Sequence, residues 1–248
     1  MTNEKRLSGR IALVTGASRG IGRAIAKRYA EEGAHVIINA RTQGALEELD
    51  DEIQALGGQA TLVPGDLTDF DIIDQMGRAV FDRWKKLDIL VGNAGLLGAL
   101  SPIAHIDPKT WEQVMAINVT VNYRLIRSFD PLLRASDAGR AIFVSSTVGD
   151  QPKAYWSSYA ISKAALAAMA RIYAEEVATS NVRVNIVNPG ATRTGMRAEA
   201  MPGEDPQTLK TADSISGLFV DLAHPSCDNN GETFEANTVT SLNLKGIS

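Results

Sequence analysis

The chain has 248 residues, 44% hydrophobic and 22% charged, with a formal net charge of −4. That is enough for a full core in one α/β domain, and it offers no cationic excess for a nucleic-acid backbone. With Cys227 as the lone cysteine, an internal disulfide and a cysteine-based metal site are both excluded.

No apolar run is long enough to span a bilayer, and the opening stretch MTNEKRLSGR has no signal-type apolar core, so the expected location is the cytoplasm. Three scattered histidines, His35, His105 and His224, show no ligand spacing, and no metal site is expected.

In chain order, short β-branched runs alternate with longer stretches of helical period. Residues 11–14 read as a first strand, followed by a glycine-rich turn and a helix over 20–32. A strand at 36–38, a helix at 44–56, a strand at 61–63 and a helix at 69–84 come next. Then follow a strand at 89–91, one long helix over 108–133, a strand at 142–144, a helix over 154–178 and a strand at 182–187. The segment 193–210, rich in Met, Pro and Gly, reads as a mobile flap over a substrate. A helix at 212–222 and a short strand at Thr233–Glu235 complete the pattern. The strands are nearly continuous apolar runs, as parallel strands covered on both faces would be. The alternation predicts a doubly wound parallel sheet of about seven strands flanked by helices, in a single α/β domain. Ligands of such sheets bind at the carboxyl ends of the strands, near the switch point.

The turn after the first strand is Thr15-Gly-Ala-Ser-Arg-Gly-Ile-Gly22. Glycines at Gly16, Gly20 and Gly22 let a backbone approach a pyrophosphate, and a helix N-terminus offers free N–H groups. The ending is not that of a nucleotide-hydrolysing loop, and the bland alternative is a tight turn. The second strand ends Ile37-Ile-Asn-Ala-Arg41-Thr42, with no carboxylate for a ribose 2′-hydroxyl. Arg19 and Arg41, with the Ser18 hydroxyl, suit a 2′-phosphate instead, which predicts NADP (NADPH) over NAD; the alternative is two solvated arginines.

The stretch 145–163 holds Ser145, Ser146, Tyr155, Tyr159 and Lys163. Tyr159 and Lys163 lie four apart in an Ala-rich helix and share one face, a spacing that is also common in purely structural pairs. Lowering a tyrosine pKa from about 10 by about three units takes ~4 kcal/mol in favour of the phenolate. A partly buried ammonium together with the positive nicotinamide would supply it.

Across nearly its whole length the chain resembles the short-chain dehydrogenase/reductase family, most of all its NADP-preferring carbonyl reductases. The resemblance rests on the first turn, Asp66-Leu67, Asn93-Ala-Gly95, Asn118, Ser146, Tyr159-x-x-x-Lys163 and Asn188-Pro-Gly190. It implies one Rossmann domain over 1–248. It makes Tyr159 the acid/base, Ser146 and Lys163 its partners, and Asn118 the fourth member of a proton relay. It places cofactor contacts at Gly16, Ser18, Arg19, Gly20, Ile21, Gly22 and Arg41, at Asp66 and Leu67 for adenine, and at Asn93, Ala94 and Gly95 for ribose. Pro189, Gly190, Thr192 and Thr194 would border the nicotinamide. The thirteen-residue separation from Tyr159 selects Ser146 over Ser145 by the family pattern.

Two departures stand out: Gly92 replaces the Asn often found before Asn-Ala-Gly, and the tail after Gly231 lacks the usual ending. The implied activity is NADP(H)-dependent reduction of a ketone or aldehyde, or oxidation of the secondary alcohol. A non-catalytic NADP(H) sensor or a scaffold is the rival. The expected partners are a small-molecule substrate and copies of the chain in a homodimer or homotetramer. The substrate pocket is expected from 96–100, 149–155 and 193–210, with Tyr155 shaping it and Trp156 serving as packing.

Overall fold

The computed structural model describes residues 5–239 and 241–242, so the outermost ends of the expected 1–248 domain lie outside the described residues. Seven parallel strands form one sheet. They are β1 (Ile11–Thr15), β2 (His35–Ala40), β3 (Gln59–Pro64), β4 (Ile89–Gly92), β5 (Arg140–Val144), β6 (Arg183–Asn188) and β7 (Thr233–Glu235). Their spatial order is β3-β2-β1-β4-β5-β6-β7. The chain runs outward from β1 to β3 and then returns to place β4 beside β1, so the switch point lies between those two strands.

Alternation along each strand splits the core in two. From β1, Ala12 and Val14 enter one core with α1 (Gly20–Glu31), α2 (Gln43–Ala55) and, from the end of the chain, the helix Ala212–Ala223. Ile11 and Leu13 enter the other, built on α3 (Phe70–Trp84) and the helices Val121–Arg134 and Ser157–Glu176. Both faces of the central strands are therefore dry, which is why their sequences read as unbroken apolar runs. The edge strand β3 departs from that reading: its residues are half-buried or exposed, because among the described residues no strand pairs beyond it.

The long helix expected over 108–133 is three pieces: α4 (Pro108–Met115), a π-helical turn Ala116–Thr120, and α5 (Val121–Arg134). The wide turn lets the fully buried Asn118 reach sideways rather than along the helix, and the Asn122 side-chain amide donates to the freed Asn118 carbonyl at 2.9 Å. After β5 comes the single turn α6 (Thr147–Asp150), and α7 runs Ser157–Glu176. It starts three residues later than expected because Tyr155 adopts a left-handed backbone, φ 73°, that no helix continues.

The departure at Gly92 has a packing reason. A Cβ there would stand 2.3 Å from Asn122 Oδ1 and 2.6 Å from the Phe143 ring, so only glycine fits beside the residue that steadies the π turn. The unusual tail still supplies β7, registered on β6 from Ile186–Thr233 to Asn188–Glu235. The segment 193–210 folds into α8 (Gly195–Ala200) and a 3₁₀ turn at Pro206–Thr208, and its ends are tied by a bridge between Thr192 and Lys210. The closing helix, α9, is Ala212–Ala223.

Candidate active site

A single cavity of about 300 Å³ opens over the carboxyl ends of the strands. All the site residues expected from the sequence line it except Gly22 and Asn118, which stand immediately behind its wall. Gly22 is a packing residue, since a Cβ there would come 2.4 Å from the Gly16 carbonyl oxygen. Gly16 has φ 65°, and a Cβ on it would meet the Ala94 backbone at 2.9 Å. These contacts press the turn of β1, the first turn of α1 and the turn of β4 together without side chains between them.

Thr15, fully buried, fastens that junction. Its hydroxyl donates to the Val91 carbonyl (3.1 Å) and accepts from the N–H groups of Asn93 (3.0 Å) and Ala94 (3.1 Å). Asn93 returns the tie through its side-chain amide, which donates to the Thr15 carbonyl at 2.8 Å. Sequence pattern alone assigns Thr15 no role, because its partners lie on another strand and the turn after it.

The glycine-rich end is open to an anion. Arg19, at the N-cap of α1, makes no side-chain cap, so the helix's first N–H groups have no side-chain acceptor there. Arg19 and Arg41 are exposed and share a smaller recess with Ser18 and Thr42. Among the described residues neither arginine enters an ion pair. The Asp66 carboxyl accepts from the Thr68 backbone (2.9 Å) and hydroxyl (2.7 Å), which hold its pKa below the usual range and fix it at the cavity edge. Asn39 also lines this end and donates to the Val63 carbonyl at 2.9 Å.

At the other end stand Ser146, Tyr159 and Lys163. Both serines line the cavity and differ in partner: Ser145 is buried and its hydroxyl donates to the Lys163 carbonyl at 3.3 Å, while Ser146 is half-buried and pairs with Tyr159. Lys163 is buried. Its ammonium donates to the Val144 carbonyl at 2.7 Å and lies 5.7 Å from the centre of the Tyr159 ring. Burial pulls its pKa down to about 8.

Tyr159 is buried in the same wall. Burial raises its pKa, and the hydrogen bond with Ser146 only partly offsets this. Lys163 aims its ammonium at the Val144 carbonyl, and desolvation is the largest influence on the phenol. Asn118 braces this end: its Oδ1 accepts from Leu96 N (2.8 Å), and its amide donates to Leu96 O (3.0 Å) and Ser162 Oγ (2.8 Å).

Near the nicotinamide position expected by resemblance, Thr192 donates to the Pro189 carbonyl (3.0 Å), and Thr194 caps α8 by accepting from Arg197 N (3.1 Å). Tyr155 does not shape the cavity as expected, whereas Trp156 packs as expected and also lines it. Tyr155 is 62% exposed and turned away, whereas Trp156 lines the cavity with its ring 6.0 Å from that of Tyr159. Arg197 and Ala200 also line it, from a helix that sequence pattern did not reveal.

The cleft at the switch point, the anion-ready turn and the Ser–Tyr–Lys group define an oxidoreductase of nucleotide-binding type. A family model of short chain dehydrogenases matches residues 10–205, and the chain belongs to the short-chain dehydrogenase/reductase family. An uncharacterized oxidoreductase of Escherichia coli K12, YciK, is 41% identical over 234 residues, spanning 93% of this chain and 92% of the relative. A short chain dehydrogenase from Shigella flexneri, solved in complex with NADP, superposes with a TM-score of 0.91 at 40% identity, over 95% of this chain and all of that one. Another from Escherichia coli CFT073, complexed with NADPH, gives 0.90 at 41% identity, over 94% and 99%.

The buried lysine has a measurable signature. Below about pH 8 it is protonated in the folded and unfolded chain alike; between about 8 and 10.5 the unfolded chain binds more protons there, so this group makes stability rise with pH. Denaturation midpoints of wild type and Lys163→Met, taken from about pH 7 to about pH 9.5, are expected to move steadily in favour of wild type. A pH-independent difference would contradict the burial.

Proposed function

We propose that the protein reduces a ketone or aldehyde with NADPH, or oxidises the corresponding secondary alcohol with NADP. The observation that carries this reading is one continuous cavity with the glycine turn, Arg19 and Arg41 at one end and the buried Tyr159 and Lys163 with the half-buried Ser146 at the other. The glycine cradle fits a pyrophosphate because added Cβ atoms would collide with its own backbone. The unpaired guanidiniums with Ser18 fit a 2′-phosphate, in charge-assisted forks that a ribose hydroxyl would not use.

When bound, the reduced nicotinamide supplies the hydride. The chain's own groups handle the proton and the charge. Tyr159, kept neutral by burial, donates its proton to the carbonyl oxygen. Ser146 donates a hydrogen bond to the same oxygen as negative charge builds on it. Lys163, held on Val144 within the same wall, places positive charge beside the phenolate that Tyr159 leaves behind. Asn118 keeps the Leu96 backbone and Ser162 in register behind this group. A sensor or scaffold would use the turn but has no use for a proton donor in the same cavity. Oligomerisation belongs to the reading too: α5 and α7 leave Tyr123 and Ile172 50% and 61% exposed, an apolar face suited to a homodimer or homotetramer.

Tyr159→Phe is expected to lower kcat/KM for any reduced carbonyl by about 10²–10⁴-fold while NADPH still binds; full activity on every substrate would remove the acid role. Arg41→Ala is expected to weaken NADPH by about 10-fold or more and to leave NADH nearly unchanged. Equal loss for both cofactors, in a fluorescence titration, would count against a 2′-phosphate contact.

A further inference from the structure

Beyond Tyr159 the cavity is apolar, with one cation set into its wall. Leu97, Val148, Tyr159, Ala160 and Ala200 form a buried cluster on which Trp156 and Met196 pack. The cation is Arg197, carried by the short helix α8. Its guanidinium is already held: Nε donates to Glu204 Oε2 at 2.5 Å and Nη2 to Glu204 Oε1 at 2.6 Å. The chain makes this fork by folding back on itself. Met201 N donates to the Arg197 carbonyl and Glu204 N to the Met201 carbonyl, which returns the carboxylate to the helix seven residues after Arg197. Both side chains are about a quarter exposed, with Arg197 in the cavity lining and Glu204 holding it from outside that lining.

Arg197 is therefore a poor receptor for a substrate anion. Glu204 already neutralises the guanidinium, so a carboxylate reaching its three remaining N–H groups meets a pair of no net charge, while giving up its hydration to walls of Leu97, Trp156, Met196 and Ala200. A neutral substrate incurs no such loss. Resting on the carbonyl-reductase reading above, we propose that the Arg197–Glu204 pair is a charge selector that makes this site favour neutral, apolar ketones or aldehydes over those bearing a carboxylate.

The matched probes are 4-acetylbenzoate and its methyl ester, which present the same methyl ketone on the same ring and differ in charge at the far end. Steady-state reduction with NADPH, and calorimetric titration of the NADP-loaded protein with each probe, give two independent readouts. Wild type is expected to favour the ester by about tenfold or more in both. Glu204→Gln frees the Arg197 charge and is expected to narrow that gap by about tenfold, through a gain on the acid. Adding Arg197→Met to Glu204→Gln removes the freed cation and restores the ester preference. Arg197→Met alone leaves Glu204 uncompensated and widens the preference, which keeps the idea testable if Glu204→Gln does not fold.

A wild type that takes the acid as well as the ester, or an unchanged gap in Glu204→Gln, overturns the selector even with turnover intact. If neither ketone is reduced but the titrations show the ester preference and its loss in Glu204→Gln, the selector stands and it is the reductase reading that fails on these substrates.

Discussion

The cleft depends on a single buried hydroxyl. Thr15 ends β1 and bonds simultaneously to the last residues of β4 and to the turn that follows. Doubly wound sheets part their helices at the switch point, and the two strands flanking it carry the turns that meet a ligand. A threonine there uses its donor and its acceptor capacity on the backbone of the neighbouring turn. Gly16 and Gly22 then allow contacts that any side chain would block. The nucleotide-facing backbone is thus set before any ligand arrives, which lowers the ordering cost of binding.

The opposite end of the cavity stores unfavourable energy. Lys163 is buried with one carbonyl partner and no carboxylate partner among the described residues, and Tyr159 is buried beside it. A core built for stability alone would place apolar residues there. The proposed function would explain the arrangement: a neutral phenol suits proton donation, and a nearby ammonium suits the phenolate that results. The π turn at Ala116–Thr120 lets Asn118 brace both Leu96 and, through Ser162, the helix that carries Tyr159 and Lys163. Gly92 belongs to that device, because the space beside it is taken by Asn122.

The parts of this molecule legible in the sequence are those governed by local chemistry. Alternating strand and helix periods give the sheet, since each apolar run is covered on two faces. Glycine spacing marks the turn, because φ at Gly16 and Gly20 is positive and the backbones touch. The i, i+4 pair of Tyr159 and Lys163 follows from helix geometry. What stays hidden depends on distant partners. The Thr15 bonds cross 76 to 79 residues. The placement of Tyr155 outside the cavity lining turns on its own left-handed backbone just before α7. The upward shift of Tyr159 comes first from burial, which helical spacing does not specify. Arg197 meets Glu204 only because the chain doubles back after α8. Gly92 is visible as a departure, but its cause lies on α5 and β5.

The central claim is that a hydride donor and the Tyr159 proton meet one carbonyl in this cavity. It is tested most directly by following the label from NADPH deuterated at either face of its C4 into the alcohol made from methyl 4-acetylbenzoate. Mass spectrometry of the product should find deuterium on the carbinol carbon from one face only, with none entering that carbon from heavy water. Alcohol formed without that label, or label drawn from solvent, would contradict direct transfer within the site.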